Sequence, residues 1–518
     1  MCENVEFLTI LVLGFKENIS TRMKILYRFF LIITLGAPLD TYGQTGDLER
    51  ATPESQGVAS EKVGAWFDTL MSTRGTEIHG AMLLRHGKVI GEIHPSPFRA
   101  EHGHALFSCS KTFTAAAIGI AIGEKRLKME DLVVDILGEE LVGMQKTLRV
   151  GDLLTMRTGI RPSEEIRKQP TEWTRKYLAS ETVDTPGKRF AYDSMATYVL
   201  SAIISHVTGE STLEYLRKRL FEHLHITEVG WDYGPEGVSC GGWGLYLQTE
   251  SMAKFGQLLL DKGRWEGRQL IPSEWVDKMM SVHVESEGYG LQTWRCENGT
   301  AMRADGLHGQ FIIVMPQEDM VAVITQCCNT REPGEHERRA LFRDVAPTLS
   351  EQALAESDAA KELADKEKRY ALPMAKGEKV GKRHARHIGQ RIELPDNKLK
   401  WKTLTLRRER GKMILDVEKE DGMSESVRLG NGRWEETKVA TKFAPHSRGT
   451  VFGAFSGMGP HLTACGTYGW EGDNILNAKI IFVDWISGVD MRVEFGEEGT
   501  ELTFRLNIEK QPFTIRAK

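Results

Sequence analysis

Cysteine is scarce in this chain: seven among 518 residues, at Cys2, Cys109, Cys240, Cys296, Cys327, Cys328 and Cys465. They follow no framework spacing. A small scaffold stapled by disulfides is therefore excluded, and free, buried thiols are expected. Charge of one sign is lacking too, with a net charge of −5. No basic excess is long enough to cover a face, so nucleic acid and the membrane surface are not expected partners. Long apolar runs are missing. The candidate, "MKILYRFFLIITLGAPLDTYGQ" from Met23, is too short and too interrupted for a transmembrane span. It has instead a Lys after Met, an apolar stretch, and small residues (Thr41, Gly43) ahead of Gln44, which is a secretory signal pattern. We read Met23 as the start and residues 1–47 as a targeting region of an exported, periplasmic or secreted protein; a short membrane anchor is the alternative. No cysteine directly follows the run, so a lipid anchor is unsupported. "HGH" at His102–His104 lacks a third ligand at matching spacing, and no metal is expected. Short internal repeats are also absent.

What is present is ordinary for a soluble globular protein: 41 % hydrophobic and 27 % charged residues. The length exceeds one ordinary core, so at least two domains are expected. Residues 48–349 read as one mixed domain. "HGAMLLRHGKVIGEIH" is a β-hairpin around "RHGK", and "GQFIIVMPQEDMVAVITQCC" is another, turning at Pro316–Asp319. Between them lie helices. "TFTAAAIGIAIGEKRL" is apolar all round, "DLLTMRTGI" ends a short helix at Thr158-Gly159, and "YVLSAIISHVTGESTLEYLRKRLFEHL" is two helices parted at Thr208-Gly209. Hairpins at both ends predict an antiparallel sheet with a helical region on one face, an α+β arrangement. Residues 350–390 read as a charged helix and a solvated linker containing "KRHARH". Residues 391–518 alternate in short strands, the pattern of an all-β barrel or sandwich. Its Trp434, Trp470 and Trp485 are expected in its core, with a binding role as the alternative.

Two stretches carry Ser-x-x-Lys. Ser108–Lys111 opens the apolar helix, and residues three apart share a helix face, so Lys111 falls beside the Ser108 hydroxyl. A hydroxyl nucleophile needs such a base. A helix N-terminus also favours negative charge developing at the serine. Ser251–Lys254 sits in an amphipathic stretch ending at Lys262-Gly263, where a solvated surface lysine is expected. Cys109 points to another face and is expected to pack as a small hydrophobe.

The Ser-x-x-Lys spacing is the nucleophile motif of β-lactamases and penicillin-binding proteins. Six segments resemble that superfamily in order, most closely its class C β-lactamase, esterase and D-alanyl-D-alanine-peptidase branch. They are "PESQGV", "FSCSKTFTA", "DLLTMRTGI", "PGKRFAYDSMATYVLSAIISHVTG", "GGWGLYLQTESMAKFGQLLLDKGRWEGRQLIP" and "MRADGLHGQFIIVMPQEDMVAVIT". The resemblance implies a β-lactamase-like fold and a serine hydrolase without cofactor, acting on a small-molecule or peptide-like substrate. It implies Ser108 as the acylated serine, Lys111 as base and Tyr192 as its proton-relay partner. The backbone N–H groups of Ser108 and Gln310 would form the oxyanion hole.

Two positions depart from the family pattern. Ser194 stands where Tyr-x-Asn has asparagine, and a hydroxyl does not replace a whole amide. Leu307 stands where the Lys-Thr-Gly element has its cation; Leu307-His308-Gly309 occupies that element. His308 and Arg303 are candidates to replace the missing charge, with Ser194 and Gly309 completing the substrate contacts. For His308 a hydrogen-bonded structural role is the alternative. These departures favour an ester or amide hydrolase. The alternatives are a β-lactamase or D,D-peptidase, and a catalytically silent cell-envelope binding protein.

Overall fold

The structure, a computed structural model, describes residues 47–138, 143–330, 333–446 and 452–517. The expected targeting segment falls outside these residues, apart from Asp47. Among the described residues no helix is long and apolar enough to cross a membrane.

The first expected hairpin forms from β1 (Thr76–Arg85) and β2 (Lys88–Ile93). Its turn, His86-Gly87, takes φ of 50° and 74°, the left-handed pair that matches strand twist. The second joins β5 (Gln310–Met315) to β6 (Met320–Cys328). With β3 (Trp294–Arg295) and β4 (Met302–Gly306) these build one antiparallel sheet of order β2-β1-β6-β5-β4-β3. Alternate residues face opposite ways. Met82, Leu84, Ile312, Val314 and Val323 join the large core on the helical side. Ala81, Leu83, Ile313, Ala322 and Ile324 join a second core with Trp66 and Phe67 of helix α1 (Ser60–Ser72).

Behind the sheet run α2 (Ser110–Gly123) and α3 (Ser194–Thr208), both almost wholly buried, which is why their sequences are apolar all round. α4 (Thr249–Leu260) lies on β5 and β6. Here the expectation for the second Ser-x-x-Lys is corrected: Ser251 and Lys254 are buried, because α4 is covered on its polar side as well. The helix expected to end at Thr158-Gly159 spans only Val150–Leu154. Thr155 turns its hydroxyl back onto the Gly151 carbonyl (2.7 Å), and Met156 takes φ 56°, which stops the helix early. The break at Thr208-Gly209 stands as expected.

The charged segment contains α5 (Asp358–Glu367), packed on α1, where Lys366 and Tyr370 both bind Asp68. "KRHARH" is solvated at Lys382, Arg383, Ala385 and Arg386 but buries both of its histidines. It forms a 3₁₀ turn whose His384 and His387 rings stack 4.4 and 5.7 Å from Trp470. The C-terminal region is an antiparallel meander in two sheets. Four strands from Arg391–Glu393 to Ser424–Leu429 form one, and six from Glu435–Ala440 to Phe513–Ala517 form the other. They enclose a common core that includes Trp401, Trp470 and Trp485. Its Lys479 reaches across to Glu77 of β1 at 2.8 Å.

Candidate functional site

Ser108 sits in a single 3₁₀ turn, Phe107–Cys109, that feeds directly into α2. Phe107 takes φ 47°, a left-handed backbone that costs a non-glycine residue about 1–3 kcal/mol. Packing on both sides holds it there, with the His308 ring at 5.7 Å and the Trp485 ring at 5.6 Å. Ser110 braces the turn: its hydroxyl donates to the Phe107 carbonyl (2.6 Å) and accepts from the Leu245 N–H (3.1 Å). Cys109 behaves as expected, fully buried and facing away, its thiol donating to the Gln310 carbonyl at 3.2 Å. Burial pushes that thiol well above the usual range. The six cysteines at 109, 240, 296, 327, 328 and 465 are all free and buried.

One turn on, Lys111 is 1 % exposed. Its Nζ contacts the Ser108 Oγ at 3.0 Å, the Ser194 Oγ at 3.0 Å and the Gly242 carbonyl at 2.6 Å. It also stands 4.8 Å from the centre of the Tyr192 ring. Glycine at 242 makes this cradle possible, since a Cβ there would lie 2.4 Å from the Ser194 carbonyl oxygen. Ser194 is placed as the first residue of α3, which Asp193 caps through its bond from the Met195 N–H (2.8 Å). Burial raises the Asp193 carboxyl above its ordinary range. Buried Gln292 ties the helices together, accepting from Thr197 (2.7 Å) and donating to the Leu154 carbonyl (2.8 Å). Tyr192 is 37 % exposed, with its ring against Trp294 (5.6 Å) and Tyr289 (6.2 Å).

The β4–β5 turn closes on this corner. Leu307 lines the cavity above Ser108. His308, φ 64°, is buried, and its Nδ1 lies 3.1 Å from the Cys328 carbonyl. The Gln310 side chain is spent on β6, donating to the Gln326 carbonyl (2.7 Å) and accepting from the Gln326 N–H (3.2 Å). Its rigid anchoring fixes the backbone of the turn. Arg303 is not brought to the cavity. Its guanidinium binds Asp305 (2.9 Å) and the Arg295 carbonyl (2.5 Å), and it is paired in register with Ile313 of the α1-facing side. His102 and His104 of "HGH" are structural: His104 contacts His79 at 2.7 Å, and His102 accepts from the Arg99 N–H. Among the described residues no cluster of His, Cys, Asp and Glu could hold a metal ion.

The cavity measures roughly 190 Å³ and brings together Ser108, Tyr192, Ser194 and Leu307. It also contains residues that the sequence did not assign to the site. Asp232 precedes the block "GGWGLYLQ", and Trp243 and Tyr246 lie within it, so a signal was within reach. Glu164 and Arg167, an ion pair, and His446 and Ala454 from the C-terminal meander carried none, and Trp485, expected in the core, also reaches the cavity. Asp232 accepts from the Tyr246 hydroxyl (3.1 Å) and the Gly457 N–H (2.9 Å); burial pushes its carboxyl up to about 7.

A family model described as Beta-lactamase matches residues 63–346. The chain is 24 % identical over 284 residues to a 6-aminohexanoate-dimer hydrolase of Paenarthrobacter ureafaciens, covering 47 % of this chain and 70 % of that one. Among solved structures it is similar to a penicillin-binding protein homologue from Caulobacter crescentus (18 % identity, TM-score 0.48, 57 % of this chain and 100 % of that one). It is also similar to SurE solved with D-Leu (14 % identity, TM-score 0.46, 89 % and 99 %).

Proposed function

The chain belongs to the β-lactamase family of serine hydrolases, and from that premise we propose that it cleaves an ester or amide through an acyl-enzyme on Ser108. The observation that carries this reading is the Lys111 Nζ, buried and 3.0 Å from the Ser108 oxygen at the floor of an open cavity. Lys111 as the free amine, with Tyr192 beside it, takes the serine proton as Oγ bonds to the substrate carbonyl carbon. The Ser108 and Gln310 amides receive the oxyanion, each such donor being worth about 3–4 kcal/mol in related chemistry. The adduct collapses, the bond to the leaving group breaks, and Tyr192 or Lys111 returns the proton to it. Water then attacks the acyl-enzyme by the same relay and restores Ser108. No metal or organic cofactor enters these steps.

Leu307 sets the substrate class apart from penicillins. It puts an apolar side chain where the family pattern has a cation for the substrate carboxylate. The similarity to a 6-aminohexanoate-dimer hydrolase supports the amide side of this reading. The signal-like run from Met23 supports export.

A fluorophosphonate probe tests the nucleophile: the intact protein is expected to label and Ser108→Ala not to. Equal labelling of both proteins refutes the assignment. A panel of chromogenic esters, D-amino-acid amides and β-lactams then ranks the substrates. Nitrocefin turnover matching the best ester would favour a β-lactamase, and no covalent adduct with any of them would favour a silent binding protein.

A further inference from the structure

Trp485 belongs to the C-terminal meander, yet its ring lies 5.6 Å from Phe107, the residue before Ser108, and 6.2 Å from Tyr246. With Ala454 it walls the cavity over the nucleophile. This wall is fixed, not draped. Phe455 meets the Trp485 ring edge-on at 4.8 Å from behind, and the indole N–H donates to the Pro445 carbonyl at 3.1 Å. The strap that carries Ala454 is bonded to the hydrolase region at several points. The Gly457 N–H donates to Asp232 (2.9 Å), the Tyr233 N–H donates to the Ser456 hydroxyl (2.8 Å), and the Phe452 N–H donates to the Arg167 carbonyl (3.0 Å). The backbones approach so closely that a Cβ on Gly230 would lie 1.9 Å from the Gly457 carbonyl oxygen.

The wall also has a side. Tyr192 packs in a separate aromatic cluster, with Tyr289 and Trp294. A group that returns a proton to the leaving group must have the leaving group beside it. With Tyr192 in that role, the part of the substrate retained on Ser108 is left to the rest of the lining, where Phe107, Tyr246, Trp485, Ala454 and Leu307 present rings and methyl groups beside the polar Asp232 and His446. Apolar surface of this kind is recognised by burial and ring packing.

We propose that the C-terminal meander supplies the acyl-binding wall of this enzyme, and that its substrates carry an aromatic or branched apolar group next to the scissile carbonyl. The proposal rests on the Ser108 acyl-enzyme reading. It makes the C-terminal region part of the active site instead of an appendage to it.

The test compares kcat/KM for p-nitrophenyl benzoate and p-nitrophenyl acetate, which share a leaving group and differ only in the acyl part. Trp485→Ala removes the wall, and Ala454→Phe, at a half-buried position, fills the space in front of it. Each is expected to lower the benzoate-to-acetate ratio about tenfold, the scale on which an apolar pocket discriminates. A ratio within twofold of the parent in folded, probe-labelled variants overturns the proposal. Should Trp485→Ala not fold, by circular dichroism, Ala454→Phe alone decides. If the parent protein is not labelled at Ser108, the acyl-enzyme reading has failed and this proposal with it. Labelling with an unmoved ratio refutes the wall alone.

Discussion

Lys111 Nζ lies 3.0 Å from the hydroxyl oxygens of both Ser108 and Ser194, so one buried amine joins the start of α2 to the start of α3. On the proposed acyl-enzyme reading, Ser194 orients the base that serves Ser108. Removing the base should cost more than removing its guide. Lys111→Ala is expected to lower the acylation rate by about 10²–10⁴, the usual worth of a positioned proton acceptor. Ser194→Ala should lower it about tenfold, the equivalent of one hydrogen bond. Stopped-flow burst kinetics with a p-nitrophenyl ester read both. Equal losses in the two variants would mean that Ser194 does more than orient.

Much of this corner was legible in the sequence because it is local. Ser108 and Lys111 share one helix face, and the apolar run behind them announced a buried helix. The hairpins were legible through their alternation and their turns. What was not legible depends on chain segments hundreds of residues apart. Lys254 looked solvated because helical periodicity does not show what covers a polar face. Trp485 read as core, which it is, but its outer edge faces a cavity made by another part of the chain. Arg303 looked like a replacement cation by proximity in sequence, and strand alternation turned it to the other side of the sheet.

Asp232 predicts a pH dependence of stability. Burial holds its carboxyl neutral in the fold up to about 7, against an ordinary value near 3.8. The unfolded chain therefore binds fewer protons between these values, and stability should fall as pH rises from about 4 to 7 and then level off. The full span is worth on the order of 4 kcal/mol. Asp232→Asn removes the titration while leaving an acceptor for the Gly457 N–H. Thermal midpoints at pH 5 and pH 8 should therefore differ less in this variant than in the parent. An unchanged difference would show that another group dominates.

Glu77 and Lys479 make the opposite prediction at acid pH. Their ion pair spans 2.8 Å between β1 and the C-terminal meander, with side chains only 15 % and 12 % exposed. Burial alone would raise the Glu77 carboxyl, but hydrogen bonds and charge from His79 and Lys479 outweigh it and hold it at about 2. Its stabilisation is present above about 4.5 and lost as pH falls toward 2. Lys479→Met leaves the Glu77 carboxylate only the Asn507 amide and His79 as partners and should destabilise by up to about 3–5 kcal/mol. Glu77→Gln combined with Lys479→Met should recover part of that loss. Urea titration of the three proteins reads the coupling. A double variant as weak as the sum of the singles would deny a direct interaction.

Leu307 offers the sharpest test of substrate class. It lines the cavity beside Ser108, where the family pattern places a cation for a substrate carboxylate. Without that charge, a β-lactam loses a hydrogen bond to a charged partner worth about 1.5–3 kcal/mol. The parent protein should therefore turn over nitrocefin poorly beside a neutral ester. Leu307→Lys should raise kcat/KM for nitrocefin about tenfold or more, chiefly through KM, since each 1.4 kcal/mol is tenfold. The same substitution sets a hydrated ammonium beside the apolar wall and should slow p-nitrophenyl benzoate. The two substrates are expected to move in opposite directions in one variant. General damage to the site would lower both. A parallel rise would mean that position 307 affects the reacting carbonyl itself and not the recognition of a distant carboxylate.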